Sequence, residues 1–359
     1  MPLAGDFSTI YQPPLDRITV FVASDNGHLY DKYWNGREWV WQDQGIPLGA
    51  TGVAVASASG AVYQPTLDRI IVFVVGLGSA HLYDKYWNGR EWVWEDQGFP
   101  AGATGPPGEP LLAASAVYRQ KLDRIIVFVV GFDDGHLYDK YWNGSEWVWE
   151  DQGMPSGPSF LNTPSAVYQQ KLDRIIVFVV GDDSHLYDKY WDGSKWIWEP
   201  QGIPPETSSV GDPPSAVYQP TLDRIWVFVV ADNGHLYDKY WNGREWVWED
   251  QGMPSGTTRC RAPSAVYQQK LDRIIVFVVG NDGHLYDKYW DGREWVWQDQ
   301  GMPSGTTSAT DVPLSTVYQP TLDRIAVFVA GSDGHLYDKY WNGREWVWED
   351  QELSGVLPF

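Results

Sequence analysis

The string His-Leu-Tyr-Asp-Lys-Tyr-Trp occurs seven times, starting at His28, His81, His136, His185, His235, His284 and His335, at intervals of 49 to 55 residues. These are all the histidines of the chain. Each copy is followed by Asn-Gly or Asp-Gly and then by a Trp-x-Trp pair such as Trp39 and Trp41. A period near fifty residues dictates repetition of one supersecondary unit. It overrides the two or three domains that a length of 359 residues alone suggests.

Each unit reads as four short strands. The first lies around Ser8 to Gln12 and returns as Ser165–Gln169 and Ser264–Gln268. The second, Arg17 to Ala23, is a near-continuous run of β-branched and aromatic residues, as a strand covered on both faces requires. A turn such as Asp25-Asn26-Gly27 leads into the third strand, which is the heptapeptide. Asn35-Gly36, a strong hairpin signal, leads into the fourth, Arg37 to Gln42. Gly/Pro/Ser/Thr-rich loops separate the units at Gly45–Gly60, Gly98–Ala114, Gly202–Pro214 and Gly252–Pro263.

No stretch shows helical apolar spacing. The fold expected is therefore all-β: a closed seven-bladed β-propeller, with four antiparallel strands per blade in a single domain over 1–359. Its repeats cover about 8–47, 59–100, 115–155, 165–204, 215–254, 264–303 and 315–351. WD-type and kelch blades fit less well, lacking the Trp-Asp pair and the Gly-Gly doublet respectively. An open solenoid would need atypical capping repeats. The small residues of the first strand suit a crowded position near the axis, and the tail Glu352–Phe359 is placed to latch onto the first blade.

A two-residue Asn35-Gly36 loop would set Trp34 opposite Arg37, Lys32 opposite Trp39, Tyr30 opposite Trp41 and His28 opposite Asp43. One face of the hairpin then carries His28, Tyr30, Lys32, Trp34, Arg37, Trp39, Trp41 and Asp43, with Lys32 over Trp39 as a cation–π pair. The other carries Leu29, Asp31, Tyr33, Glu38, Val40 and Gln42. An aromatic face dotted with hydrogen-bonding groups matches a pyranose, whose C–H patch packs on indole while its hydroxyls need directional partners. The competing reading is that the tryptophans fill the widening space between blades as core.

Composition narrows the function further. A net charge of −21, from 26 basic and 47 acidic residues, argues against a nucleic-acid partner. No apolar run reaches the ~20 residues of a membrane span. Met1–Gln12 has no secretory signal pattern, so a cytoplasmic or non-classically secreted protein is expected, and Cys260 is the only cysteine. Histidines on separate repeats cannot form a compact metal site, and the Asp-rich turns lack the spaced oxygen ligands of a calcium loop; no cofactor is expected. The Leu-Asp-Arg turns, Asp16-Arg17 through Asp323-Arg324, are expected to form surface or inter-blade ion pairs.

Departures from the repeat are few: Trp226, Cys260, Ser145, Ser194, Lys195 and Pro200. None assembles a catalytic constellation, so no enzyme is expected.

The run Asp123-Arg124-Ile125-Ile126-Val127-Phe128-Val129-Val130-Gly131, with Leu137-Tyr138 and a Trp-x-Trp pair, resembles the repeat of the Photorhabdus-type seven-bladed propeller lectins. The resemblance spans all seven units and implies polyvalent binding of fucose, galactose or O-methylated sugars in pockets between blades. The family's second-strand Glu and Arg are apolar here (Ile126, Val130), and its first third-strand Trp is Tyr138, so the sugar is left open, GlcNAc included.

The expected function is a non-enzymatic multivalent lectin. Its partners would be glycan ends of glycoconjugates, and a homo-oligomer is compatible with the sequence. The alternative is a protein-interaction scaffold. An engineered or recently duplicated repeat protein, selected for symmetry rather than for a ligand, is a third reading.

The candidate ligand-binding residues are His28, Tyr30, Lys32, Trp34 and Trp41 and their equivalents. In the second and third repeats these are His81, Tyr83, Lys85, Trp87 and Trp94, then His136, Tyr138, Lys140, Trp142 and Trp149. In the fourth and fifth they are His185, Tyr187, Lys189, Trp191 and Trp198, then His235, Tyr237, Lys239, Trp241 and Trp248. In the last two they are His284, Tyr286, Lys288, Trp290 and Trp297, then His335, Tyr337, Lys339, Trp341 and Trp348.

Overall fold

Valine, isoleucine and phenylalanine fill most of the second strand of every repeat. The computed structural model describes residues 7–54, 60–101, 111, 114–211, 213–306 and 314–352, and it buries that strand on both faces. Val20, Phe21, Val22 and Ala23 are all fully excluded from solvent, which accounts for the unbroken apolar run. In the first repeat, Phe7–Gln12, Arg17–Ala23, Leu29–Trp34 and Trp39–Gly45 pair in chain order, each antiparallel to the next.

The pattern recurs in seven sheets. The second sheet adds a short strand, Gly52–Val53, along Arg69–Leu77. Among the described residues helix is confined to three-residue 3-10 turns, so the chain is an all-β, seven-bladed β-propeller with four antiparallel strands per blade. By Cα packing the first four sheets form one compact unit and the last three another, dividing near residue 200.

The first strands of consecutive sheets lie close enough for side chain to bond backbone. Ser8 Oγ accepts the Ala61 N–H at 3.1 Å, Ser115 Oγ that of Ala166 at 3.0 Å, and Ser215 Oγ that of Ala265 at 2.9 Å. Small residues there are a requirement of this approach. The turn that follows, Pro13–Leu15, ends on Asp16 at φ +47, a left-handed conformation that aspartate adopts more readily than most residues. The six equivalents, Asp68 to Asp323, repeat it, fixing each carboxylate at the mouth of the second strand.

Three expectations need correction. The hairpin loop is four residues long, Asn35 to Glu38: the Asn35 N–H donates to the Glu38 carbonyl, and the Asn35 side-chain oxygen accepts the N–H groups of Arg37 and Glu38. The register therefore moves by two, to Trp34↔Trp39, Lys32↔Trp41 and Tyr30↔Asp43. A shift of two leaves every side chain that stays in the strands on its expected face, because the strand period is two, while Arg37 and Glu38 pass into the loop. The cation–π partner of Lys32 is accordingly Trp41, not Trp39, at 5.0 Å.

The third correction concerns Gly252–Pro263, whose end is strand rather than loop. Cys260 and Arg261 pair with Gly280 and Val279, with a bulge before Ser264 and with Cys260 fully buried. The expected latch by the C-terminal tail lies beyond residue 352, outside the described residues.

Candidate functional site

Depth decides what each residue of the aromatic face does. Lys85 is only 6% exposed: its Nζ donates to the Gln44 carbonyl of the preceding sheet at 3.1 Å and sits 4.8 Å from the Trp94 ring centroid. Trp94 Nε1 donates to the same carbonyl at 2.9 Å. Gln97 receives Lys140 and Trp149 in this way, Gln152 receives Lys189 and Trp198, and Gln251 receives Lys288 and Trp297.

The glutamine side chain works inward, and Gln44 Nε2 donates to the buried Asp31 Oδ1 at 2.6 Å. Burial pushes Asp31 and Asp287 up to about 6, and Asp84, Asp139, Asp238 and Asp338 up to about 7. Burial also pushes Lys85 and Lys189 down to about 8. These groups rivet one sheet to the next.

The histidines lie at the edge. The His28 ring stacks on Tyr30 at 6.0 Å, and its Nδ1 is 2.9 Å from Asp43 Oδ1, with the side chain about one-third exposed. The same His–Asp contact forms at Asp96, Asp151, Asp250, Asp299 and Asp350, while Pro200 takes the aspartate's place in the fourth repeat. Tyr30 and its equivalents are buried beneath, and the Tyr138 hydroxyl donates to Asp134 at 2.6 Å. Among the described residues no group of three or more His, Cys, Asp or Glu is placed to hold a metal ion.

Clefts open between consecutive sheets at the hairpin end. Between the first and second, one wall is a polar ladder. The Arg17 guanidinium lies 4.9 Å from the Tyr33 ring centroid and its Nη2 donates to Gln12 Oε1 at 2.8 Å, while Gln12 Nε2 donates across to Asp68 Oδ1 at 3.0 Å. The facing wall is indole. Trp87 meets Trp92 edge-on at 6.0 Å, and Trp92 in turn meets Phe21 of the first sheet edge-on at 5.9 Å.

This cleft encloses about 540 Å³. Other clefts lined by arginine and tryptophan enclose about 420 Å³ between the second and third sheets, 160 Å³ between the third and fourth, and 680 Å³ between the fifth and sixth. The Nε atoms of Arg17, Arg69 and Arg324 are buried without an acceptor. The arrangement suits a ring with one C–H face for the indoles and hydroxyls for the Arg–Gln–Asp ladder.

Of the residues picked out from the sequence, Trp87, Trp142, Trp191 and Trp290 line these clefts, and Lys288 borders the one between the fifth and sixth sheets. The Trp34 position is the partly exposed one, with Trp34 38% and Trp290 42% exposed. The Tyr30, Lys32 and Trp41 positions lie in sheet-to-sheet packing, and the His28 position lies on the surface beside its aspartate.

The polar wall comes from elsewhere: Tyr33 sits on the opposite face of the hairpin, Gln12 and Arg17 belong to the first two strands, and Asp68 closes the 3-10 turn of the second sheet. The sevenfold Leu-Asp-Arg turn was their only signal. Its expected inter-blade ion pairs form at Arg119–Asp173 (2.7 Å) and Lys270–Asp323 (3.3 Å). At other interfaces the aspartate accepts from a glutamine, as Asp68 and Asp123 do.

No family model and no curated protein matches the sequence. The fold is similar to solved structures of lectins. The BP39L lectin from Burkholderia pseudomallei aligns with a TM-score of 0.73 at 20% identity, over 96% of this chain and 98% of that one. The SapL1 lectin, solved with α-methyl fucoside, aligns with a TM-score of 0.54 at 18% identity, over 82% and 96%. The fucose-specific lectin of Aleuria aurantia aligns with a TM-score of 0.53 at 17% identity, over 78% and 90%.

Proposed function

We propose that this chain is a non-enzymatic, multivalent lectin whose sugars occupy the clefts between consecutive sheets, in the manner of the propeller lectins its repeat resembles. The observation that carries this reading is the lining of one cleft by the Trp87–Trp92 pair on one side and Arg17, Gln12 and Asp68 on the other. Trp87 supplies the stacking surface, and the arginine and glutamine supply hydroxyl contacts. One of the similar structures is a fucose-specific lectin by its description and another is a lectin solved with α-methyl fucoside, which makes fucose the first sugar to test, with galactose and GlcNAc after it.

A glycan array on the folded protein, followed by titration calorimetry on the best ligand, is the test. Saturable binding at more than one site per chain is expected. A folded chain that binds no glycan sinks the reading, and one site taken up by a protein partner would favour an interaction scaffold.

A further inference from the structure

The clefts are not equivalent, and the difference traces to one residue. The third position of the second strand is Thr19, Ile71, Ile126, Ile176, Trp226, Ile275 and Ala326 in the seven sheets. Trp226 lines the largest cleft described, between the fifth and sixth sheets, together with Tyr240, Trp290 and Trp295. Its ring centroid is 4.8 Å from that of Tyr240 and 5.9 Å from that of Trp295. Its Nε1 donates to Gln219 Oε1 at 3.1 Å.

That acceptor is the one the arginine uses elsewhere. Arg17 donates to Gln12 Oε1, Arg69 to Gln64, Arg174 to Gln169 and Arg273 to Gln268, all at 2.7–2.9 Å. With the indole in place, Arg224 is held between two rings instead, 5.1 Å from the Trp226 centroid and 4.8 Å from that of Tyr240. No hydrogen bond among the described residues engages its guanidinium, nor the exposed Glu249 carboxylate in the same cleft. In the third sheet Arg119 stands where the glutamine would be. There, however, the Tyr141 hydroxyl donates to Glu150 at 3.0 Å and the cavity is about 160 Å³.

We infer that Trp226 makes the cleft between the fifth and sixth sheets the tightest sugar site of the molecule. By capturing Gln219 it leaves the Arg224 donors and the Glu249 acceptor for a ligand diol over an aromatic floor. Stacked guanidinium is pre-organised, so less freedom is lost when it binds hydroxyls. The inference rests on the lectin reading above.

Titration of the full chain and of Trp226→Ile and Trp226→Phe with the best ligand from the glycan array tests it. Isoleucine occupies this position in four other sheets, so the fold tolerates it, and matching thermal unfolding curves verify that. Two affinity classes are expected for the native chain, the tight class holding one site. Trp226→Ile should weaken that site at least tenfold and leave the weaker class unchanged. Trp226→Phe should weaken it similarly, because without the indole N–H the Gln219 carbonyl returns to Arg224. A single class of equal sites, or tight binding retained in Trp226→Ile, overturns the inference while leaving the lectin intact. Tight binding retained in Trp226→Phe alone overturns the arginine-release mechanism. Absence of any glycan binding removes the lectin reading and this inference with it.

Discussion

Two tryptophans seven residues apart in one hairpin have opposite duties. Trp94 Nε1 is committed to the Gln44 carbonyl under a buried lysine, whereas Trp87 is 37% exposed and meets only the edge of Trp92 within its sheet. Trp94→Ala should lower unfolding free energy by about 3 kcal/mol, from lost packing and a carbonyl missing one donor. Trp87→Ala should cost about 1 kcal/mol or less, the scale of one aromatic pair, yet remove one sugar site from the stoichiometry. Urea unfolding beside calorimetric site counts separates the two. If Trp87→Ala leaves the number of sites unchanged, the cleft is not where sugar binds. Both residues looked alike in the sequence, because a repeated tryptophan on an alternating face carries no label for depth; the lysine that shields Trp94 and the hairpin end that exposes Trp87 become distinct only once the sheets stack.

At the level of the hairpin, the sequence was readable in kind but not in register. Alternation correctly assigned Tyr30, Lys32, Trp34, Trp39 and Trp41 to one face. Asn35-Gly36 suggested the commonest two-residue loop, yet the asparagine side chain caps two further N–H groups and lengthens the loop to four. Local dipeptide chemistry fixes that a turn forms, while the side-chain oxygen decides how many residues it takes. Asn88→Ala in the second sheet, where the same oxygen accepts the N–H groups of Arg90 and Glu91 at 2.9 Å, tests this. It should cost about 1 kcal/mol in denaturant unfolding. It should also loosen ligand binding at the neighbouring cleft, since Trp87 and Trp92 flank that loop. A loss of stability with unchanged affinity would show that the indole pair is positioned by packing against Phe21 alone. The polar wall was hidden for a related reason: Arg17 and Gln12 belong to different strands five residues apart and meet only across the 3-10 turn that Asp16 closes.

Across the whole molecule, repetition multiplies one electrostatic feature until it governs response to pH. Six buried aspartates stand at about 6 to 7, above the ~3.9 of an unfolded chain. A raised carboxyl binds its proton more tightly in the folded state, so its favourable contribution is complete below the unfolded value and is lost as pH rises through 6 to 7. His335, raised beside Asp350, acts in the same direction. Lys85 and Lys189, lowered to about 8, act oppositely, but their effect falls mainly at higher pH. Melting temperature should therefore rise as pH falls from 7.5 to 5.5. With ~2–4 °C per kcal/mol for a larger domain, a gain of several degrees is expected.

Relief of surface repulsion at a net charge of −21 predicts a rise of the same sign, and salt tells the two apart. Exposed charges are screened within about 10 Å at 0.1 M salt, whereas a carboxyl beneath a Lys–Trp rivet is not. The gain should persist in 0.5 M sodium chloride if the buried aspartates cause it and vanish if surface repulsion does. Asp84→Asn keeps the acceptor for Gln97 Nε2, now at 2.8 Å, while removing the titration. That variant should match the native chain at pH 5.5, exceed it at pH 7.5 and flatten its profile by about one-sixth of the total.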